Sequence, residues 1–454
     1  MGRHETSRAI ILRGTFIQAI SLLALPSLAS QILQTTAWLG EMYFVKRLGD
    51  AAVAAIGAVD EATWIPFTVV MAFLTATVTL VAQNWGAGNR EAIRDVAIAA
   101  IQQCLLLSLL IALVWFFRGV IWRIFNLSEE VEVLATRYLF IFITFVVPVV
   151  LALLLGAFYH GLGDVVTPFI ATALGVGTQL SLNALLVPRL GIDGAAIAAV
   201  SSYLVRLLFL GTLLRRSPIK LNPHRMLRWH SMSHMQLLKL SLPVCLQSIQ
   251  WALCSFVFFS IIGRVSNSTD ALAALTLGWR IESLMLMPAF AIASAAQTMI
   301  GQNVGAWQIE RARSCSYQLT VFGFAMLAVL GGIFFVTADM WAKMFAHGKL
   351  TMRYVSAYLR INAVAEPFTA VGMILGASLR GAGDMLSPAL ITIFSIWVVR
   401  IPATYWLCIV ERHDAIAAWL AMAISNILGG LLTLLPAALI WKRLKRTHGL
   451  RSDS

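Results

Sequence analysis

The sequence predicts an all-α membrane protein in which twelve transmembrane helices form two six-helix lobes related by an internal repeat. Three observations carry that expectation. Hydrophobic residues make up 59% of the 454 positions and charged residues only 12%, well below the roughly 25% charged content of a soluble domain, and mean hydropathy is +0.82. Apolar stretches long enough to cross about 30 Å of hydrocarbon, which takes around 20 helical residues, recur along the whole chain. Finally, the pattern GAxxxGxGDxxxP occurs twice, as GAFYHGLGDVVTP at 156–168 and GASLRGAGDMLSP at 376–388, a displacement of 220 positions that Tyr138 and Tyr358 share.

In order, the first half places spans near 16–45, 53–83, 96–117, 133–160, 166–187 and 192–214. The first ends beside Lys46, Arg47 and Asp50, and the second ends at VAQNWGA (81–87), which the second half matches with IGQNVGA (300–306). The second half repeats the series near 236–263, 271–302, 316–338, 352–380, 386–410 and 414–440. The domain reading is an N-terminal lobe over 1–214, a polar linker over 215–235, a C-terminal lobe over 236–441 and a basic tail over 442–454. Between the fourth and fifth spans of each half, the GxGD glycines permit a tight reversal. Asp164 or Asp384 can cap the helix that follows, and Pro168 or Pro388 suits its first turn. Inside the spans, Pro26, Pro66, Pro148, Pro243, Pro288, Pro367 and Pro402 each remove a backbone donor and predict bends.

The formal net charge is +13, but its distribution marks topology rather than nucleic-acid binding. Arg3, Arg8 and Arg13 precede the first span, Arg215, Arg216, Lys220, Arg225 and Arg228 fill the linker, and Lys442, Arg443, Lys445, Arg446 and Arg451 follow the last span. With six spans per half, all three segments fall on one side. The positive-inside rule then predicts a multi-pass protein of the plasma membrane, the bacterial inner membrane, with both termini cytoplasmic. No cleavable leader is expected, because charges punctuate the first 13 positions and the apolar stretch after them exceeds leader length. Cys104, Cys245, Cys254, Cys315 and Cys408 lack CxxC or Cys/His spacing, so neither a metal nor a cofactor is expected. The spans also lack the clustered His, Ser or metal-ligand sets that an enzyme needs. Duplicated halves are instead how secondary transporters build a central site that can face either side of the bilayer. Such a fold can complete its pathway as a monomer.

An ionised carboxylate at mid-membrane costs several kcal/mol, and a chain keeps it where it is used or neutralised. Glu41 in span 1, Glu282 in span 8 and Glu366 in span 10 are therefore candidates for binding a coupling ion, proton or sodium, or a cationic substrate. Gln31, Gln34, Trp38 and Glu41 follow i, i+3, i+7, i+10 and predict one polar, aromatic face of span 1. Glu282 and Glu366 have rival structural partners in Arg280 and in Arg400 of span 11. Asp60 and Glu61, about two turns into span 2, suit the outer mouth. The repeat does not duplicate the acids: Phe258 falls opposite Glu41, and Val146 opposite Glu366.

Taken together, the VAQNxGAG string, the LRGAGDxxxP string after span 10, and the WRIES and VVRIP strings of spans 8 and 11 resemble the multidrug and toxic compound extrusion (MATE) transporters over nearly the whole chain. The resemblance implies efflux of organic cations or other amphipathic compounds in exchange for protons or sodium. In the family's span 1 an Asp usually stands in a VDTxFVG-like string, and here GEMYFVK puts Glu41 in that place. The chain looks closer to the DinF-like branch, whose span 5 carries NxxxDP. It reads NALLVP here, keeping Asn183 and Pro188 but placing Val187 at the Asp position. Glu366 stands before Pro367 where many relatives have Gln, and Gln247, Gln250 and Trp251 occupy the stretch of span 7 where the NorM-like branch has an acid. A lipid-linked oligosaccharide flippase of the wider superfamily is the alternative. It would be expected to line its cavity with several cations, and few occur within the spans beyond Arg206, Arg280 and Arg400.

Overall fold

The computed structural model describes residues 3–215 and 231–452. In hydrocarbon every backbone N–H and C=O must be satisfied within its own segment, so a chain this apolar resolves into helices. They run α1 (Arg3–Arg13), α2 (Phe16–Val45), α3 (Asp50–Gly86), α4 (Arg90–Ile124), α5 (Glu129–Thr144), α6 (Val146–Gly161), α7 (Val166–Leu190) and α8 (Ile192–Arg215). The second half follows with α9 (Ser231–Ile262), α10 (Ser268–Gly305), α11 (Ile309–Phe345), α12 (Lys349–Ala382), α13 (Leu386–Phe394), α14 (Ile401–Tyr405) and α15 (Ala415–Ser452). Among the described residues eleven helical stretches are long and apolar enough to cross a membrane, and α5 with α6 brings the number to as many as twelve.

Two spans depart from the regular helices expected of them. The fourth is broken, with α5 and α6 meeting at 58°. Pro148 explains the position of the break, since its ring lacks the N–H that would bond the carbonyl of Thr144, the last residue of α5. The eleventh runs continuously from Leu386 to Val410 but widens into π-helical turns over Ser395–Arg400 and Trp406–Val410. These flank Pro402, and the wider turn relieves the clash of its ring with the carbonyl four residues earlier. Within the segment read as a linker over 215–235, the residues from Ser231 onward are helical and belong to α9. Arg216, Lys220, Arg225 and Arg228 of that reading lie outside the described residues. The segment read as a tail continues α15 as helix to Ser452.

The chain divides into two compact units, one of Met1–Arg13 with Ser21–Cys245 and one of Gly14–Ile20 with Leu246–Ser454. In the first, Val81 and Trp85 of α3, Ile93 and Val96 of α4, and Phe158 and Tyr159 of α6 share one core. Ile56 and Val59, Trp122, Leu139 and Val187 share another. In the second, Phe258, Leu275, Ile281, Tyr354, Tyr358, Trp419 and Met422 pack together.

The repeated loop is built the same way in both units. Gly163 (φ 79°) and Gly383 (φ 97°) take the left-handed turn. Asp164 then accepts from the Thr167 backbone at 3.0 Å and hydroxyl at 2.6 Å, and Asp384 accepts from the Ser387 backbone and hydroxyl at the same two distances. The preceding glycines serve packing instead. A Cβ on Gly161 would lie 2.7 Å from the Val81 side chain, and one on Gly381 would lie 2.5 Å from the Gln297 carbonyl oxygen. Gly381→Ala is therefore expected to push α12 off α10 and to cost about 1–3 kcal/mol, the usual range for overpacking, seen as a lowered unfolding midpoint of the purified protein. An unchanged midpoint would refute this account of the glycine.

Candidate functional site

In the first unit the site is built around Glu41, in the last turns of α2. Its side chain is 6% exposed. Tyr138 of α5 donates its hydroxyl to Oε1 at 3.0 Å, and Gln179 of α7 donates its amide to Oε2 at 3.0 Å. Gly40 lets α7 come this close, since a Cβ there would lie 2.2 Å from Leu180. One turn beyond Gln179, Asn183 is completely buried, and neither its amide nitrogen nor its oxygen has a partner among the described residues. Asp60 of α3 is close enough to act on Glu41 electrostatically. The arrangement is a carboxylate removed from water and held by two neutral donors, with an uncommitted amide one turn along α7 from Gln179. It suits a group whose charge is to be cancelled and restored, since neutral donors hold the anion without a permanent counter-charge.

The second unit carries a different construction on the same scaffold. Tyr358, displaced by 220 positions from Tyr138, donates its hydroxyl to Glu282 of α10. Its ring lies over Gly278, one turn before Glu282, where a Cβ would sit 2.5 Å from it, and meets Trp419 edge-on at 5.3 Å. Thus the repeated tyrosine holds an acid in both units, but the acid comes from α2 in one and α10 in the other. Phe258, at the place equivalent to Glu41, is buried against Trp419. Glu366 of α12 is fully buried, and neither of its oxygens has a donor among the described residues. Glu282 is close enough to act on it electrostatically.

A third cluster surrounds Arg400, at the end of the first π-helical turn. Its Nε donates to Ser425 Oγ at 2.8 Å and its Nη2 to Asn426 Oδ1 at 2.5 Å, both on α15. The guanidinium also lies 5.8 Å from the ring centre of Trp251. On the facing side of α9, Gln247 donates to Thr392 at 2.9 Å, and Gln250 accepts from the Trp397 indole at 3.1 Å.

Several sequence expectations change here. Of the polar face read on span 1, only Glu41 turns into its unit. Gln31 is half-buried, Gln34 and Trp38 are exposed, and Gln34 reaches no farther than the Ser30 carbonyl, at 3.4 Å. Helical spacing puts the four on one stripe, but the stripe meets α5 and α7 only at its Glu41 end. The structural partners considered for the second-half acids are also replaced. Arg280 is exposed, Arg400 bonds Ser425 and Asn426, and Glu282 is bonded by Tyr358. Val187 is buried in an apolar cluster. The sequence reading missed Tyr138, Gln179, Tyr358, Ser425 and Asn426 as site residues. The shared displacement of the two tyrosines was the one signal that could have found any of them.

The family model MatE matches residues 26–185 and 243–406, and the matches begin at Pro26 inside α2 and Pro243 inside α9. The probable multidrug resistance protein NorM of Thermotoga maritima is 24% identical over 422 residues, covering 91% of this chain and 90% of that one. The probable multidrug resistance protein YoeA of Bacillus subtilis is 24% identical over 448 residues, covering 95% of each. A crystal structure of MATE in the bent conformation superimposes with a TM-score of 0.91 at 21% identity, over 97% of this chain and 99% of that one. Two matched halves on an all-helical, multi-pass scaffold, with acids held by neutral donors inside them, place the chain in the MatE family of membrane transporters, which are not enzymes.

Proposed function

We propose that this transporter is a secondary active antiporter that exports organic cations and other amphipathic compounds in exchange for protons or sodium ions, by alternating access, with Glu41 as the coupling acid. The observation that carries the reading is the Glu41 carboxylate, buried in a span and bonded among the described residues by the neutral donors Tyr138 and Gln179. Binding a coupling ion there cancels the negative charge and weakens the hold on a cationic substrate, while losing the ion restores it. Asn183, one turn along α7 from the Gln179 that holds the acid, has free bonding capacity and can complete the shell of the bound ion. The relatives named as probable multidrug resistance proteins support the substrate class. The reading includes a DinF-like affinity, function as a monomer, and an inner-membrane location with both termini cytoplasmic.

The test is efflux of a fluorescent organic cation from proteoliposomes under an imposed proton gradient and, separately, an imposed sodium gradient. Transport driven by one gradient and not by the other identifies the ion. No transport under either one overturns the export reading and turns the search to lipid-linked substrates. Single-channel currents in the same membranes would overturn alternating access.

A further inference from the structure

Three consecutive residues of α5 each bond a different helix of the first unit. Thr136 accepts at its Oγ from the Trp122 indole of α4 at 3.1 Å, Arg137 donates its Nη2 to Asp193 Oδ2 of α8 at 2.5 Å, and Tyr138 donates to Glu41 of α2 at 3.0 Å. Successive side chains of a helix are turned by about 100°, so the three bonds leave α5 on three faces. Together they fix its rotation as well as its place. α5 depends on such bonds, because it is only 16 residues long and the 58° break before α6 keeps either segment from setting the rotation of the other. Ala135 and Leu139 hold α5 to the core, but apolar burial is non-directional. The second oxygen of Asp193, Oδ1, is buried with no partner among the described residues, so the bond to Arg137 is the one that holds this carboxylate. The repeat shows that the pair is particular to the first unit. Thr136 has its counterpart in Ser356, which bonds Asp339 of α11, and Tyr138 has its counterpart in Tyr358, but Ala357 stands where Arg137 does. There the tyrosine lies on α12, an unbroken helix of 34 residues.

We propose that Arg137 and Asp193 are positioning residues for the coupling acid: their ion pair sets the rotation of α5, and through it how firmly Tyr138 donates to Glu41 and how tightly Glu41 holds its ion. This deepens the export reading and rests on Glu41 as its coupling acid. The Tyr138 hydroxyl and the coupling ion compete for the same carboxylate. A donor on the ionised form favours that form, so a slackened bond lets the ion bind more tightly and leave more slowly. The pair is open enough to water, with Arg137 54% and Asp193 26% exposed, to contribute little to overall stability, and its variants are expected to fold.

Ion binding is followed on the full-length protein in lipid by infrared difference spectra, recorded as the proton and, separately, the sodium concentration is raised. The Glu41 band is the one that Glu41→Gln removes. Tyr138→Phe is expected to lower the half-saturating ion concentration by roughly 3- to 10-fold, the worth of one neutral hydrogen bond. Arg137→Gln and Asp193→Asn should each lower it too, by roughly 2- to 5-fold, a part of that bond. In the Tyr138→Phe protein neither should add more than about twofold, because the bond through which they act is already gone. Charges acting on Glu41 through their fields alone would give opposite signs, since one variant removes a cation and the other an anion. Opposite signs, no change, or full addition to Tyr138→Phe overturns the positioning role, while the Glu41 band itself keeps the coupling-acid reading. If one variant fails to fold, the other decides by its addition to Tyr138→Phe. A wild type with no Glu41 band under either ion overturns the coupling-acid reading, and the positioning role with it.

Discussion

Glu41→Gln is expected to leave a folded protein that no longer builds a substrate gradient. The amide has the shape of the carboxylic acid and still accepts from the Tyr138 hydroxyl, which lies 3.0 Å from Oε1. On the other side, Gln179 donates at 3.0 Å and can turn its own amide to offer the oxygen instead. The cost in stability is therefore about 1 kcal/mol or less, the net worth of one neutral hydrogen bond. The charge, however, is gone, and with it the means of exchanging ion for substrate. One charge moved through about 100 mV supplies about 2.3 kcal/mol, equivalent to roughly 50-fold accumulation at about 1.4 kcal/mol per tenfold. In proteoliposomes the wild type should approach that accumulation under the gradient that drives it, and the variant should stop at equilibrium. Tyr138→Phe keeps the acid and loses one donor, so it should transport more slowly and still accumulate. If Glu41→Gln retained full ion-driven accumulation, Glu41 would lose its assigned role.

The two acids of the second unit should respond with opposite signs when made apolar. Glu366 is fully buried and has no donor among the described residues, so it carries the cost of burying a polar group without the bond that offsets it. Glu366→Met fills a similar volume and is expected to stabilise the protein by about 1–3 kcal/mol, the range measured for such groups in proteins. Glu282→Met instead leaves the buried Tyr358 hydroxyl without its acceptor and should destabilise by about 1–3 kcal/mol. Thermal unfolding of the purified variants gives both signs in one experiment. If Glu366 also carries a coupling ion, its stabilised variant should be the slower transporter, the trade found where activity depends on a destabilised site. Shifts of the same sign for both variants would mean that Glu366 is as well satisfied as Glu282, and the proposed asymmetry would fail.

The duplicated GxGD loop shows how far the sequence could be read. Its turn glycines and its capping aspartates were legible because both depend on contacts within a few residues, and both recur with matching distances. The role of Gly161 and Gly381 was not legible, since it lies in helices about 80 residues away. The break in the fourth span had its signal in Pro148, four residues beyond Thr144, but an apolar run alone cannot say which of seven prolines will bend a helix and which will break one.

By itself the sequence determined the membrane-embedded helical class, the duplication and the acids worth examining, because hydropathy, repeat spacing and the cost of a buried charge are properties of the chain alone. The tertiary structure decided which residues surround those acids. It separated Glu41 from the rest of its helical stripe, paired the two repeated tyrosines with acids from non-equivalent helices, and gave Arg400 the Ser425 hydroxyl and the Asn426 amide oxygen as partners. The physical reason is that a hydrogen bond joins groups within about 3 Å in space. For Glu41 and its two partners that meant bringing together residues 97 and 138 positions apart, a separation that composition and periodicity do not encode.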